Sequence, residues 1–279
     1  MQRRLVVWLT AILAALGGAS AQSEIRIAIP GEGDTLDPAY MSFVNSFAIA
    51  TNIYSGLVRY APGTIDLVPD LATSWEVSED GLTWTFHIRD DVVWQKGYGE
   101  LTAHDVVASF ERIMDPSTGS RFQSDLSMVT DVTAPDDYTV VFTLEQPSAA
   151  FLHTVAAFRQ GLITNAQAVA DYGDEYGRNP VGTGAYELVE WVPGVQVTLK
   201  ANPDYYGGKP AIDTATFIVI ADENVRMLAL QRGEVDIAMS LTNPEIYQTL
   251  QAHPNINTGE ITTSSAHGIN INLRIEPWD

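Results

Sequence analysis

Between Leu57 and Leu144 apolar side chains recur at every second position, whereas from Pro180 onward they follow a strand, helix, strand order. Period two builds half-buried strands. A crossover helix between two strands builds an α/β layer. A chain with both patterns must therefore hold an antiparallel part and a layered part together. The clearest strand runs from Leu82 to Ile88, where Leu82, Trp84, Phe86 and Ile88 alternate with Thr83, Thr85 and His87. Ser78, Glu79, Asp80 and Gly81 precede it as a hairpin turn, and Ala134, Pro135, Asp136 and Asp137 stand likewise before Tyr138 to Leu144. Both turns predict antiparallel pairing.

One helix interrupts this region. Thr102 and Asp105 have capping-box spacing, Val106, Phe110 and Ile113 share one side, and Asp115 and Pro116 end it. Asp105 thus reads as a cap, placed near the positive end of the helix dipole. Before the region, Glu24 to Ile29 alternates as a strand and stops at Pro30, and Gly31 to Pro38 forms a loop at the strand end. Phe43 to Tyr54 repeats at helical spacing. After Pro180, strands are predicted at Gly184 to Glu190, Val195 to Lys200 and Thr216 to Ile220. A helix follows from Glu223 to Arg232 with Gly233 as its stop, then alternation at Val235, Ile237 and Met239.

Arg3 and Arg4 precede an apolar run from Leu5 to Leu16, followed by small residues that include Ala19 and Ala21. This is the pattern of a signal peptide over residues 1–21, cleaved to leave Gln22. The run is shorter than the roughly 20 residues of a spanning helix. The chain has no cysteine, so it forms no disulfide and offers no lipid-anchored cysteine after the leader. A free periplasmic protein is expected, and a chain of this size buries about 70 to 75 % of its unfolded surface.

The formal charge is −20, and −22 without Arg3 and Arg4. An acidic surface repels phosphates, which argues against nucleic acid as a partner. Histidines 87, 104, 153, 253 and 267 lack metal-ligand spacing. No G-x-S-x-G elbow occurs, and acidic pairs such as Asp90 and Asp91 fall in turns. Gly182, Thr183 and Gly184 lack the lysine of a phosphate loop and precede a strand, so they read as a turn. The residues give no support for a catalytic site, a metal site or a cofactor.

Loops at strand ends are favoured ligand sites. Gly31, Glu32, Gly33 and Asp34 are the candidate contacts, because glycines let main-chain N–H and C=O groups approach a solute closely. Met41 and Phe43 are candidates for an apolar wall. Tyr98, between Gly97 and Gly99, is a further aromatic candidate, while Trp94 is expected in the core.

Several segments together resemble the extracytoplasmic solute-binding proteins of ABC importers, in the family 5 group that takes peptides, oligopeptides and nickel. They are TLDP at Thr35 to Pro38, YSGLV at Tyr54 to Val58, PDLA at Pro69 to Ala72 and SWEVSEDGLTWTF at Ser74 to Phe86. IRDDVVWQKG follows at Ile88 to Gly97 and LTAHDVVASFER at Leu101 to Arg112, then VGTGAY at Val181 to Tyr186, NPDYY at Asn202 to Tyr206 and RGEVDI at Arg232 to Ile237. Lys96 stands where the family often has aspartate, and Ala185 where it usually has proline.

The resemblance implies an α/β fold: a periplasmic-binding-protein-like lobe of mixed sheet with helices, discontinuous over 22–59 and 178–266. A smaller α+β subdomain is inserted at 60–177, and 267–279 begins the crossover to a second lobe that this chain lacks. It also implies a monomer that grips a peptide or other small solute between two lobes and delivers it to ABC permease subunits, with no cofactor and no catalysis. The alternatives are a truncated fragment that does not bind, and a secreted hydrolase.

Overall fold

The computed structural model describes residues 23–156 and 159–259. The leader expected at 1–21, the last residues of the lobe segment 178–266 and the crossover at 267–279 lie outside the described residues. Among the described residues no helix is long and apolar enough to cross a membrane.

Strand β1 (Glu24–Ile29) ends at Pro30, which has no N–H to extend a ladder. Helix α1 (Val44–Ile53) follows, burying Phe47, Ile49, Ala50 and Ile53. A hairpin of β2 (Val58–Tyr60) and β3 (Leu67–Pro69) leads into β4 (Ala72–Val77) and β5 (Thr83–Ile88). Along β5, Trp84, Phe86 and Ile88 are buried and Thr83, Thr85 and His87, which alternate with them, are not, as the alternation predicts. Helix α2 (Ala103–Met114) starts where Thr102 N–H donates to Asp105 Oδ2 at 2.9 Å. Strands β6 (Val129–Asp136) and β7 (Thr139–Leu144) complete an antiparallel sheet in the order β4-β5-β7-β6. Short helices α3 (Phe151–Ala156) and α4 (Ala166–Tyr172) follow.

Beyond Pro180 come β8 (Tyr186–Val192), β9 (Gln196–Ala201), β10 (Thr214–Val219), α5 (Glu223–Gln231), β11 (Ile237–Ala238) and α6 (Pro244–Gln251). They form a mixed sheet with β1, in the order β11-β1-β10-β9-β8. Strand β1 is parallel to both neighbours, whereas β10, β9 and β8 pair antiparallel. Residues 24–29 and 186–238 thus build the mixed sheet, and residues 72–144 build the antiparallel one. One continuous core joins them: Ile29, Ile49 and Ile53 belong to the same buried cluster as Phe86, Phe110, Phe142 and Leu199.

The structure revises some of the expected boundaries. The turn before β7 is tighter than expected: β6 runs through Ala134, Pro135 and Asp136, accommodating the proline where its register shifts between Thr133 and Asp136. Strand β8 starts at Tyr186, not Gly184. Gly184 instead lies against the end of α1, where a Cβ would stand 2.6 Å from Asn52 O.

Candidate functional site

The carboxyl ends of the three parallel strands lie side by side. Ile220 N–H donates to Ile29 O at 2.9 Å and Met239 N–H to Ala28 O at 2.9 Å. The loops leaving β1, β10 and β11 are thereby neighbours, in the position where open α/β sheets place ligands. Arg226 of α5, 3 % exposed, fastens two of them. Its Nη1 donates to Ile220 O at 2.7 Å and Ala221 O at 2.8 Å, and its Nη2 to Ser240 O at 3.1 Å. Glu223 accepts from Asn243 N–H at 2.8 Å and from Thr242 N–H. Neither role was visible in sequence, since α5 reads there only as a crossover helix.

Loop 31–34 turns its polar side chains toward its own scaffold. Glu32 accepts from the Trp191 indole at 2.7 Å and from Gly194 N–H at 2.8 Å. Arg178 stands 3.5 Å from the same carboxylate and stacks over the Trp191 ring at 3.5 Å. Asp34 accepts from Ser46 Oγ at 2.6 Å, from Thr35 N–H at 3.0 Å, and from the Ser42 hydroxyl and N–H. Burial pushes the Asp34 carboxyl up, but the hydrogen bonds from Ser42, Ser46 and Thr35 outweigh it and hold the pKa below the ordinary aspartate value. Gly31 O accepts from Asn45 at 2.7 Å. The N–H groups of Gly31 and Glu32 and the carbonyl of Glu32 form no hydrogen bond within the described residues.

The predicted contacts divide accordingly. Phe43 caps α1 beside this loop and is 54 % exposed. Met41 is 0 % exposed, a core side chain that presents no surface to a solute in this structure. Gly33 is buried against Ser46. Tyr98 joins a different set, donating to Oδ2 of Asp171 on α4 at 3.1 Å. Burial and then that carboxylate push its pKa up to about 12, so it stays protonated.

The recurring segments are joined pairwise in space. Asp37 of TLDP takes a two-pronged ion pair from Arg112 of α2, at 2.8 and 2.6 Å. Gln95 accepts from Gly182 N–H at 3.2 Å and donates to Gly184 O at 3.3 Å and Tyr186 O at 2.9 Å. A Cβ on Gly182 would meet Ile53 O at 2.0 Å, so the glycine admits that backbone. Asp70 accepts from Tyr206 OH at 2.5 Å and from Gly56 N–H at 3.2 Å. Arg26 of β1 holds Asp236 at 3.1 Å. These segments build the scaffold, and the face at the strand ends is left to the loops.

The model for bacterial extracellular solute-binding proteins, family 5, matches residues 66–279. Di/tripeptide-binding protein 2 of Pseudomonas aeruginosa (strain UCBPP-PA14) is 32 % identical, over 96 % of this chain and 55 % of its own length. The dipeptide-binding protein of Escherichia coli (strain K12) is 32 % identical over 83 % of this chain and 47 % of its own. Among solved structures, the periplasmic binding protein DppA from Helicobacter pylori, in complex with the peptide STSA, superposes with a TM-score of 0.77 at 31 % identity. That match covers 84 % of this chain and 49 % of the other. MoaA from A.tumefacien R10, in complex with mannopinic acid, gives 0.80 at 36 % identity, over 84 % and 48 %. These similar structures are solute receptors with the ligand in place. The chain belongs to the bacterial extracellular solute-binding proteins of family 5. It spans about half the length of the curated relatives it matches.

Proposed function

We propose that this chain forms the first lobe of an exported receptor that captures peptides or similar small solutes for an ABC importer, and that it catalyses no reaction. One observation carries the reading: at the carboxyl ends of β1, β10 and β11, loop 31–34 commits its carboxylates to the scaffold while the N–H groups of Gly31 and Glu32 and the carbonyl of Glu32 stay without partners among the described residues. Main-chain groups held unpaired on a fixed loop bind a peptide backbone without reading its side chains. Phe43 supplies apolar area beside them. The names of the relatives support a peptide class, and the mannopinic acid complex of a similar structure widens it to other small polar acids.

Binding energy in such a receptor closes a hinge, and closure is what the permease senses. The basic residues, apolar run and small residues of positions 1–21 support export to the periplasm with cleavage near Ala21, and with no cysteine the chain offers no site for a lipid anchor of that kind. One lobe leaves much of a bound solute in water, so its own affinity is weak. The test is therefore a titration by backbone NMR with trialanine, which reads weak contacts residue by residue. The amide signals of Gly31 and Glu32 are expected to shift saturably. A well-dispersed spectrum in which loop 31–34 stays unmoved would overturn the proposal.

A further inference from the structure

Lysine occurs only three times in the chain, at Lys96, Lys200 and Lys209. Two of the three are neutralised by carboxylates: Lys200 lies 2.6 Å from Glu187, and Lys209 lies 2.9 Å from Asp213. Lys96 has no carboxylate within salt-bridge distance among the described residues, and its ammonium lies over the Tyr172 ring at 5.8 Å from the centroid. Its backbone is left-handed, with φ 57° and ψ 20°. For a residue with a Cβ this costs about 1–2 kcal/mol, and such positions gather at functional sites.

Lys96, an exposed residue, lines an open cavity of about 400 Å³ between its own turn, β8 and the turn at Asn202. Trp94 and Gln95 form one wall, and Glu100, Glu187 and Asp204 supply acidic groups. The charges acting on the amine are those of Glu187 on β8 and Lys200 on β9, Tyr172 of α4 lies under it, and Glu100 and Asp204 line the same cavity. Desolvation against these walls lowers the pKa of the amine, the nearby positive charge of Lys200 adds to this, and Glu187 only partly opposes it.

We infer that Lys96 is a modification site, an acyl-acceptor amine for small acyl donors that carry no charge near the reacting carbonyl. The free amine attacks the acyl carbon and a C–N bond forms. The bond from carbon to the leaving group breaks, the leaving group departs with the electron pair, and the nitrogen releases its proton to solvent. The acidic groups around the cavity repel anionic donors and admit neutral ones. Acylation removes the positive charge and its contact with Tyr172, leaving a neutral amide between β8 and α4.

Trace labelling of the full chain with acetic anhydride near neutral pH, read by peptide mass spectrometry, compares the three lysines with one another. The same labelling in urea gives each its unfolded reference. The native-to-unfolded labelling ratio of Lys96 is expected to exceed those of Lys200 and Lys209 by about threefold or more. An equal or smaller ratio overturns the assignment. In Glu187→Gln the charge that favours the ammonium is gone, so Lys96 is expected to label faster still, and slower labelling there also counts against the proposal.

Discussion

Two glycines of the candidate loop do different work. A Cβ on Gly33 would come 2.6 Å from Ser46 Oγ and 3.2 Å from Ser46 Cα, and the same hydroxyl binds Asp34 on both its N–H and its carboxylate. A Cβ on Gly31 meets only Asn45 Nδ2, at 3.7 Å, an ordinary contact. Gly33→Ala is therefore expected to cost about 1–3 kcal/mol, because a backbone Cα and a committed hydroxyl must both move. Gly31→Ala should stay within about 0.5 kcal/mol. Urea unfolding of the two variants checks this, and equal costs would mean that the close approach to Ser46 is not what requires the glycine. The loop and its two glycines were legible in sequence, but which of them is constrained was not. The constraint comes from Ser46 on α1, which the sequence presents only as one more helical position. Glu32 was still less legible, since its partners Trp191 and Gly194 lie far along the chain.

At the scale of elements, local signals were read well and long-range ties were not. The alternation of β5, the capping box of α2 and the strand, helix, strand order of β10, α5 and β11 depend on neighbouring residues, so a sequence displays them directly. Val235, Ile237 and Met239 suggested a longer strand than the two residues of β11, but of the three only Val235 is buried and Ile237 is exposed, so alternation alone settles neither burial nor how far a partner strand runs alongside. The pair of Asp37 and Arg112 is a tie of the hidden kind. It fixes the loop before α1 to α2, with Asp37 almost wholly buried and the Arg112 guanidinium over the rings of Tyr40 at 5.6 Å and Tyr176 at 5.9 Å. Removing one partner strands the other charge in a mostly dry site. Asp37→Asn and Arg112→Met are each expected to cost about 3 kcal/mol. The double variant should cost clearly less than the sum, with a coupling of about 1–3 kcal/mol. Additive costs in a double-mutant cycle would mean that the pair does not join these elements.

Across the whole molecule the excess of acidic residues makes the placement of each carboxylate matter. Most resolved shifts favour ionisation. The side-chain bond from Arg26 holds Asp236 below its ordinary pKa, and the ammonium of Lys209 does the same for Asp213. A depressed carboxylate contributes stability that is fully present above its unfolded value of about 3.9 and is lost as pH falls through the folded value. Asp70 runs the other way. Burial raises its pKa, and the hydrogen bonds from Tyr206 and Gly56 with the charges of Arg59 and Arg89 only partly oppose this. Its contribution is therefore present below about pH 3.9 and is lost as pH rises through its raised folded value. It sits where the YSGLV, PDLA and NPDYY segments meet, so the cost falls on the joint between the two sheets and not on a surface loop. Asp70→Asn keeps an acceptor and a donor at that joint but cannot ionise. Measured by urea unfolding across a pH series, the stability of the unsubstituted protein relative to Asp70→Asn should decline from about pH 4 toward neutrality, while below about pH 4 the two should run parallel. A constant difference across the series would mean that the Asp70 carboxylate ionises in the folded protein as easily as in the unfolded chain, and that the joint carries no penalty for its charge.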